Sequence, residues 1–442
     1  MQIYQNTNFA TLFRQFIAPS VISAVFFSIY TIIDGIIVGS YLGSESLAAM
    51  GFVMPFIFIA FALADMIAIG SSVQISLHLG KNALKEAREI FCACVLAIVA
   101  ISCVVGFLVY FGLGFLLDFM DTSENIKSLS VEYSRVIAIF MPFIALSYAL
   151  DNYLRICEKG VYAMWVGIFV VICNVVLVCL FVIWFEMGIF GAGLAISLGL
   201  SFGTILSVLP FFTQDLVLKF CTPKLTLKKF LGILYNGSSE FLGNISGSLL
   251  AIFANVTLLK LSGALGVAVY AAIVYIDELA MSVVMAINAS LQPILSYFFA
   301  QKNRAEVMRI VRFLICINAI FSFIVFVVLI VFRAKFAGLF APNATKDDSA
   351  EFVAFMSVAL LLYNLNYLVM WFNALVSELL TAFDKPTFSM ILSLIANLIA
   401  PLAFLLILPR IFGVNGVFLV GFFAEICVVI LSVILLKKSL RF

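Results

Sequence analysis

The stretch SIYTIIDGIIVGSYLGSESLAAMG, residues 28–51, determines the fold class of this chain. Its first half is apolar enough to cross a bilayer, yet it contains a carboxylate, Asp34. The apolar run ends at Gly39, and a short turn through Gly43 leads into a second apolar segment. A charged side chain at the centre of a membrane helix costs about 2.5 to 3.5 kcal/mol on insertion scales. Asp34 is therefore the first candidate for a functional residue.

The composition indicates a polytopic, all-α membrane protein. Of 442 residues, 65% are hydrophobic and 11% are charged, and hydropathy stays high from residue 11 almost to the end. A soluble core does not need this much apolar surface. Basic residues lie in short loops without interleaved aromatic residues, so we expect the lipid bilayer as a partner and no nucleic acid.

Charged, Gly, Pro and Asn-containing loops divide the chain into twelve predicted transmembrane helices. About 20 apolar residues cross a bilayer, so we expect the longer helices to be tilted or to extend past the headgroups. The predicted ranges are 11–39, 46–80, 86–117, 126–156, 160–185, 188–212, 228–260, 264–300, 305–339, 348–382, 386–410 and 413–438.

The positions of Lys and Arg predict the orientation, because cytoplasmic loops are enriched in both. With the N-terminus inside, eighteen of the 25 Lys and Arg residues fall on the cytoplasmic side and seven on the other. We therefore expect both termini in the cytoplasm. The first apolar run is too long and too interrupted for a cleavable signal, so we expect it to remain as the first helix.

The middle of the chain predicts a division into two lobes. Segment 213–229 is the longest polar interval, and we interpret it as a cytoplasmic linker between six-helix lobes at 1–212 and 230–442. The lobes resemble each other weakly, and internal symmetry of this kind is typical of transporters. The matched positions are Asn82 with Asn303, Glu158 with Asp384, and Lys159 with Lys385.

The nine cysteines do not form a metal-binding or disulfide pattern, because they lie mostly inside apolar runs and lack the necessary loop spacing. We expect buried free thiols, no metal and no cofactor. The chain has a single histidine, His78, and no His/Cys/Ser constellation or pore-loop motif. An enzyme or a channel is therefore not expected.

Several stretches, in order along nearly the whole chain, carry a family resemblance. They are IDGIIVGSYLG, LAAMGF, GSSVQISLHLGKNALKEA, DNYLRICEKGVYAM, GIFGAGLAIS, GSSEFLGNISGS, LQPILSYFFAQKN, LLTAFDKPTFSMILSL and FGVNGVFLVGFFAE. Together they resemble the multidrug and toxic compound extrusion (MATE) family, within the wider group of multidrug, oligosaccharide-lipid and polysaccharide exporters. The DNA-damage-inducible-like bacterial branch is the most similar.

The resemblance implies a twelve-helix, two-lobe antiporter in the bacterial inner membrane, and we expect a monomer. It would export amphipathic or cationic small molecules in exchange for H⁺ or Na⁺ by alternating access. The alternative in the wider group is a flippase for lipid-linked oligosaccharides. A flippase should have a more cationic central cavity for pyrophosphate, whereas this sequence has acids rather than Lys or Arg within its spans.

The resemblance also implies a cation site in the N-terminal lobe. In similar family members the helix-1 Asp is joined by an Asn and an Asp on helix 5 and a Thr on helix 6. Asp34 and Asn174 match two of these positions, and Val178 and Ile196 occupy the other two. Na⁺ needs several oxygen ligands, whereas a proton needs one carboxylate. The absence of oxygen ligands at Val178 and Ile196 therefore favours H⁺ coupling. Desolvation disfavours the charged form of a carboxyl group, which allows proton exchange near neutral pH.

Further acids lie in both lobes, and for each a structural partner is the alternative to a role in transport. Glu240 and Glu278 are the main candidates for cation or proton binding in the C-terminal lobe. Asp277 and Glu278 are adjacent and diverge by about 100° on a helix, so both cannot face one cavity. We expect packing or gating for Glu425. The secondary candidates are Asp65, Asp277, Glu378 and Asn373, the last as the alternative for the acid position on helix 10.

Two features are candidates for a gate or hinge. Asp151 and Arg155 are spaced i, i+4 near the cytoplasmic end of helix 4, which predicts a salt bridge that would latch an inner gate. Pro19 shares helix 1 with Asp34. A proline removes a backbone hydrogen bond and permits a bend, so bending at Pro19 would link protonation to lobe movement.

Overall fold

The computed structural model describes residues 8–117, 124–340 and 346–440, and every regular element in these ranges is helical. Within these ranges, twelve helices are long and apolar enough to cross a membrane, which confirms the predicted number. They are α1 Phe9–Gly43, α2 Ile57–Gly80, α3 Leu84–Phe115, α4 Glu124–Ile156, α5 Gly160–Trp184, α6 Gly188–Thr213, α7 Leu227–Gly263, α8 Leu265–Ala300, α9 Arg304–Leu339, α10 Ala350–Ala382, α11 Pro386–Phe412 and α12 Val414–Ser439.

Single glycines separate two pairs of consecutive helices. The backbone from Ala18 to Gly80 is helical except at Gly43, where φ is 82° and ψ is 177°. Gly263 makes the same kind of break between α7 and α8, with φ 64° and ψ −153°. Glycine adopts such angles readily because it has no Cβ. Gly43 therefore ends α1 directly before the helical backbone that leads into α2, and Gly263 separates α7 from α8.

The turns after α2, α4, α8 and α10 share one hydrogen-bond pattern. In each, a left-handed residue follows the helix, and the next N–H bonds to the carbonyl five residues back. Examples are Ala83 N–H to His78 O at 2.8 Å and Lys385 N–H to Leu380 O at 2.9 Å. This is the Schellman arrangement of a helix end. The left-handed residues are Asn82, Glu158, Lys302 and Asp384.

These turns give the weak internal repeat a counterpart in the backbone. Asn82 and Lys302 end the second helix of each half, so the backbone pairs Asn82 with the residue before Asn303, its match in the sequence, whereas Glu158 and Asp384 end the fourth helix as matched. Left-handed conformations are uncommon for residues other than glycine, so finding them at matched places in both halves is informative. The two halves therefore resemble each other in local geometry as well as in sequence.

The chain divides into two compact units, Met1–Gly237 and Ser238–Phe442. The first contains α1 to α6 and the start of α7, and the second contains the remainder. The finer division into lobes 1–212 and 230–442 joined by a cytoplasmic linker at 213–229 stays a prediction.

Each unit has its own apolar core. The first core includes Val38, Leu113 and Tyr133 from three different helices. The second includes Leu258 of α7 and Phe418 of α12. Large apolar side chains also lie on the outside, as expected where a bilayer rather than water is the solvent. Examples are Phe107 at 63%, Phe111 at 66% and Trp184 at 78% exposure.

The nine cysteines are free, but the expectation that they are buried holds for three of them only: two are intermediate and four are exposed. An apolar thiol can face lipid at no cost, so position inside an apolar run does not imply burial in protein. The buried thiols are Cys92, Cys94 and Cys157, the intermediate ones are Cys173 and Cys179, and the exposed ones are Cys103, Cys221, Cys316 and Cys427.

We expect Gly263→Ala to destabilise the protein by about 1 to 3 kcal/mol, because an L-residue is strained at the angles of Gly263. The matched control is Gly232→Ala, since both glycines lie in α7 and neither has an atom within 4 Å of an added Cβ. Gly232 is helical, so alanine there should leave stability unchanged or raise it. The measurement is the thermal unfolding midpoint of the detergent-solubilised protein, and equal midpoints for the two variants would contradict the prediction.

Candidate functional site

A cavity of about 320 Å³ lies within the second unit. Carboxyl, amide and hydroxyl groups line it, and the described lining residues include no Lys, Arg or His. The cavity therefore offers sites for positive charge or for protons and none that would neutralise an anion. The four acids that line it are Glu240, Asp277, Glu378 and Glu425.

Asp277 of α8 is held by two tyrosines of α10. The Tyr367 hydroxyl donates a hydrogen bond to Asp277 Oδ1 at 2.8 Å. The Tyr363 side chain also makes a hydrogen bond with this carboxylate. Glu278, at the next position, is exposed and does not line the cavity. Sequence reasoning ranked Glu278 above Asp277, and the structure places Asp277 in the cavity because the two positions point in different directions around α8.

Glu378 of α10 lines the same cavity and is 6% exposed. Gln292 of α8 donates from Nε2 to Glu378 Oε2 at 2.8 Å, and Gln292 is itself 2% exposed. A buried carboxylate is costly unless donors surround it, so this amide stabilises the acid. Sequence reasoning missed Gln292, since an uncharged amide inside an apolar run gives little signal.

Hydroxyl groups continue this polar region next to Glu378. The side chains of Thr381 and Ser389 are 2.7 Å apart, and Ser239 lies 3.2 Å from Thr381. Ser393 donates to the Ser239 carbonyl oxygen at 2.9 Å. These contacts join α7, α10 and α11 through small polar side chains. They place Glu240, the residue after Ser239, at the wall of the cavity.

Glu425 of α12 and Asn373 of α10 form a second polar group at the cavity. Asn373 Nδ2 donates to the Glu425 carbonyl oxygen at 2.9 Å and to Oε2 at 2.5 Å. Ser432 Oγ donates to Asn373 Oδ1 at 2.6 Å. Asn373, a secondary candidate from the sequence, thus satisfies the acid for which only packing or gating was expected. The sequence does not show that these residues, 52 positions apart, face each other.

In the first unit, tyrosines surround the two membrane acids. The half-buried Asp34 carboxylate interacts electrostatically with Tyr30 of α1 and Tyr133 of α4. Asp65 of α2 interacts in the same way with Tyr148 of α4. Tyr30 also lies near Tyr148. Tyrosine side chains therefore connect the neighbourhoods of the two acids.

Asn174 of α5 is fully buried, and its environment departs from that of a cation site. It packs against Gly199 of α6, where an added Cβ would lie 1.6 Å from Asn174 Oδ1. Neither its Nδ2 nor its Oδ1 has a hydrogen-bond partner within the described chain, so it is not bonded to Asp34. Val178 is 1% exposed in the apolar core, and Ile196 packs against that core. Aliphatic side chains in or against the apolar core thus occupy two of the four positions of the implied site.

The predicted salt bridge between Asp151 and Arg155 is present, with Nη2 and Oδ2 2.6 Å apart. Arg155 Nη1 also contacts Ser20 Oγ of α1. Ser20 follows Pro19, which lies in the first turn of the α-helix that resumes at Ala18 after a π-helical turn. Pro19 has no N–H to donate to a preceding carbonyl, so the backbone hydrogen bonds of α1 are interrupted beside this turn. The ion pair therefore contacts α1 beside the candidate hinge, and its role as a latch stays a prediction.

The fold and these sites define a polytopic helical membrane protein with an acid-lined cavity inside one of its units. In the ranges that the structure describes, no three His, Cys, Asp or Glu side chains come close enough to hold a metal ion. The MatE family model matches residues 19–180 and 241–405, one segment in each unit. The chain belongs to the MatE family. The two matched segments begin 222 residues apart, at 19 and 241, a spacing close to that of the repeated turns.

Relatives and solved structures agree with this family. The multidrug export protein MepA of Staphylococcus saprophyticus is 18% identical over 407 residues, covering 91% of this chain and 86% of that protein. The probable multidrug resistance protein YoeA of Bacillus subtilis is 27% identical over 201 residues, covering 45% and 42%. A crystal structure of a MATE protein in complex with MaL6 has a TM-score of 0.92 at 20% identity, covering 97% of this chain and 96% of that chain. An outward-facing multidrug resistance MATE transporter has a TM-score of 0.88 at 19% identity, covering 97% and 95%.

We expect Asn373→Ala to lower the thermal unfolding midpoint, because the half-buried Glu425 carboxylate and the buried Ser432 hydroxyl both lose a partner. The cost of leaving such groups unpaired is about 1 to 3 kcal/mol each. The control is Asn244→Ala, since Asn244 lines the same cavity but is exposed. When Glu425→Ala is added to Asn373→Ala, it should lower the unfolding midpoint by less than it does in the otherwise unsubstituted protein. Additive effects of the two substitutions would contradict the contact.

Proposed function

We propose that this chain is a secondary active antiporter that exports amphipathic or cationic small molecules in exchange for H⁺. Membership of the MatE family and relatives named as multidrug export proteins support export. The observation that carries the preference for cations is the cavity of the second unit, where four acids and no basic side chain are among the described lining residues. We propose that the chain works as a monomer without enzymatic activity.

The cavity supports binding of an amphipathic cation. Its volume of about 320 Å³ is at the lower end of the range for small-molecule sites. Tyr270 and Tyr363 offer aromatic faces, which attract cations. Three methionines, Met281, Met285 and Met370, also line it, and their flexible side chains adapt to different apolar shapes. A positive group would lie near the carboxylates and the apolar part near the methionines.

A flippase for lipid-linked oligosaccharides is less compatible with this cavity. A pyrophosphate carries negative charge, and proteins bind such groups with Arg or Lys. The four acids would repel it unless all were protonated. The same charge distribution that favours cationic substrates therefore disfavours the alternative from the wider exporter group.

We propose Asp34 as the main protonation site that couples export to ion entry. It is an acid inside an apolar span, and it interacts with two buried tyrosines. Val178 and Ile196 supply no oxygen at the positions where similar proteins have ligands, which supports H⁺ over Na⁺ because a hard cation needs several oxygens. Asn174, Glu240 and the acids Asp65, Asp277, Glu378 and Glu425 are further candidates for cation or proton binding.

We also propose that the protein lies in a bacterial inner membrane with both termini in the cytoplasm. The distribution of Lys and Arg between the two sides supports this orientation. On the cytoplasmic side, the ion pair of Asp151 with Arg155 would latch α4 to α1.

We expect Asp34→Asn to abolish efflux of ethidium from proteoliposomes, because the amide takes up no proton. An imposed pH gradient should drive efflux by the unsubstituted protein, and an Na⁺ gradient alone should not. The control is Glu278→Gln, which removes an exposed acid outside the cavity and should leave efflux unchanged. Efflux by Asp34→Asn at the rate of the unsubstituted protein would remove Asp34 from the mechanism, and efflux driven by Na⁺ alone would overturn the proposed coupling ion.

Pro19→Ala tests the hinge. The substitution restores a backbone N–H and stiffens α1, so we expect slower efflux and a weaker dependence of efflux on pH. The control is Pro409→Ala, which changes a helix-interior proline of α11 in the second unit. Expression in the membrane is measured alongside transport. Unchanged efflux and pH dependence in Pro19→Ala would exclude a hinge at this residue.

A further inference from the structure

Residues 214–226, between α6 and α7, form a connecting segment that is docked on the first unit. Leu218 is fully buried, and Leu216 is 7% exposed. The Phe220 ring centre lies 5.1 Å from that of Phe91 of α3 and 4.9 Å from that of Phe212 of α6. Buried aliphatic and aromatic contacts of this kind hold the segment in one position.

Polar contacts also hold the connecting segment. Arg88 of α3 donates from Nε to the Val217 carbonyl oxygen at 2.9 Å. Within the segment, the Lys219 ammonium pairs with Asp215 and lowers the pKa of that carboxyl group. Arg88 joins the segment to α3 at the same end of the helix as Phe91. The backbone of residues 217–221 therefore runs directly over the start of α3.

This docking brings two thiols together, those of Cys92 in α3 and Cys221 in the connecting segment. Their Sγ atoms are 3.5 Å apart. The Cys221 N–H donates to Cys92 Sγ at 2.9 Å, and the Cys92 thiol donates to the Lys219 carbonyl oxygen at 3.6 Å. A disulfide is about 2.05 Å long, so the sulfurs need to approach by about 1.5 Å. Rotation of the exposed Cys221 side chain can supply this movement.

The two thiols differ in access, and the neighbouring thiols lack the same arrangement. Cys221 is exposed, whereas Cys92 is 3% exposed beneath it. Cys157 is 6% exposed, and its thiol accepts a hydrogen bond from the Leu218 N–H. Cys94 is fully buried and bonds to Ser71 of α2 instead. Peroxides react with accessible thiolates, so Cys221 is the one placed to react first.

We propose that Cys92 and Cys221 are a site of reversible oxidation, at which a peroxide closes a disulfide that fastens the connecting segment to α3. The Cys221 sulfur attacks one oxygen of H₂O₂ and the O–O bond breaks, which gives a sulfenic acid and one water. The Cys92 sulfur then attacks the Cys221 sulfur, the S–O bond breaks, and the thiol proton leaves with the hydroxide as a second water. The two thiols lose two electrons, and the peroxide gains them.

The disulfide joins the start of α3 to the segment that leads into α7. A thiol reductant reverses it by exchange through a mixed disulfide. In the docked position the segment already makes its contacts, so the bond requires no rearrangement of α3. Oxidation therefore prevents the connecting segment from detaching from α3, and the described arrangement does not change.

The test treats the purified full-length protein with H₂O₂ and follows its thiols. We expect a proteolytic peptide pair joined through Cys92 and Cys221, and near-complete loss of maleimide labelling at Cys221 that dithiothreitol restores. In Cys92→Ser the sulfenic acid at Cys221 has no thiol to meet, so dimedone should trap it there. The matched control is Cys316→Ser, which removes an exposed thiol of α9 in the second unit and should form the joined peptide pair as before.

Two results would overturn the proposal. The first is oxidised protein of native sequence without the joined peptide pair, a measurement that does not depend on any variant folding. The second is dimedone trapping at Cys221 to the same extent in the native protein and in Cys92→Ser. A disulfide from Cys221 to Cys157 or Cys94 would likewise reject the assigned pair.

Discussion

Acids inside a membrane helix are stable only where neighbouring helices supply hydrogen-bond donors, and this constraint organises the second unit. Tyr367 and Tyr363 satisfy Asp277, Gln292 satisfies Glu378, and Asn373 satisfies the acid of α12. Most of these groups come from α10. This helix contains a 3₁₀ segment, Leu365–Leu368, which includes Tyr367 and lies between Tyr363 and Asn373. The local change of pitch shifts the direction of side chains along α10, so one helix can reach α8 and α12 at once.

The acids of the two units differ in their surroundings. In the second unit, Asp277, Glu378 and Glu425 each accept a hydrogen bond from a neighbouring side chain. In the first unit, Asp34 and Asp65 are accompanied by tyrosines, and the buried amide of Asn174 has no hydrogen-bond partner within the described chain. The chain thus combines a unit in which three cavity acids have direct side-chain donors with a unit whose two acids lie among tyrosines and apolar side chains.

The sequence predicted the helices well because a bilayer requires long apolar runs, and such runs are visible without tertiary information. It also indicated Asp34, since a charge in an apolar run is conspicuous. It could not identify Gln292 or the tyrosines around Asp277, because uncharged polar residues are common in membrane helices. The choice between Asp277 and Glu278 required the rotational phase of α8, and the pairing of Asn373 with Glu425 required the packing of α10 on α12. The proximity of Cys92 and Cys221, 129 positions apart, was invisible for the same reason.

The left-handed turn residues have an evolutionary consequence. Asn82 and Lys302 share a backbone conformation but not a side chain, and the same is true of Glu158 and Asp384. Duplication and fusion of an ancestral gene for six helices would leave this trace, with substitution free to alter the residue while helix termination preserved the angles. At these two pairs of turns the backbone angles are shared where the amino acids differ. The helix ends therefore align the two halves without reference to residue identity.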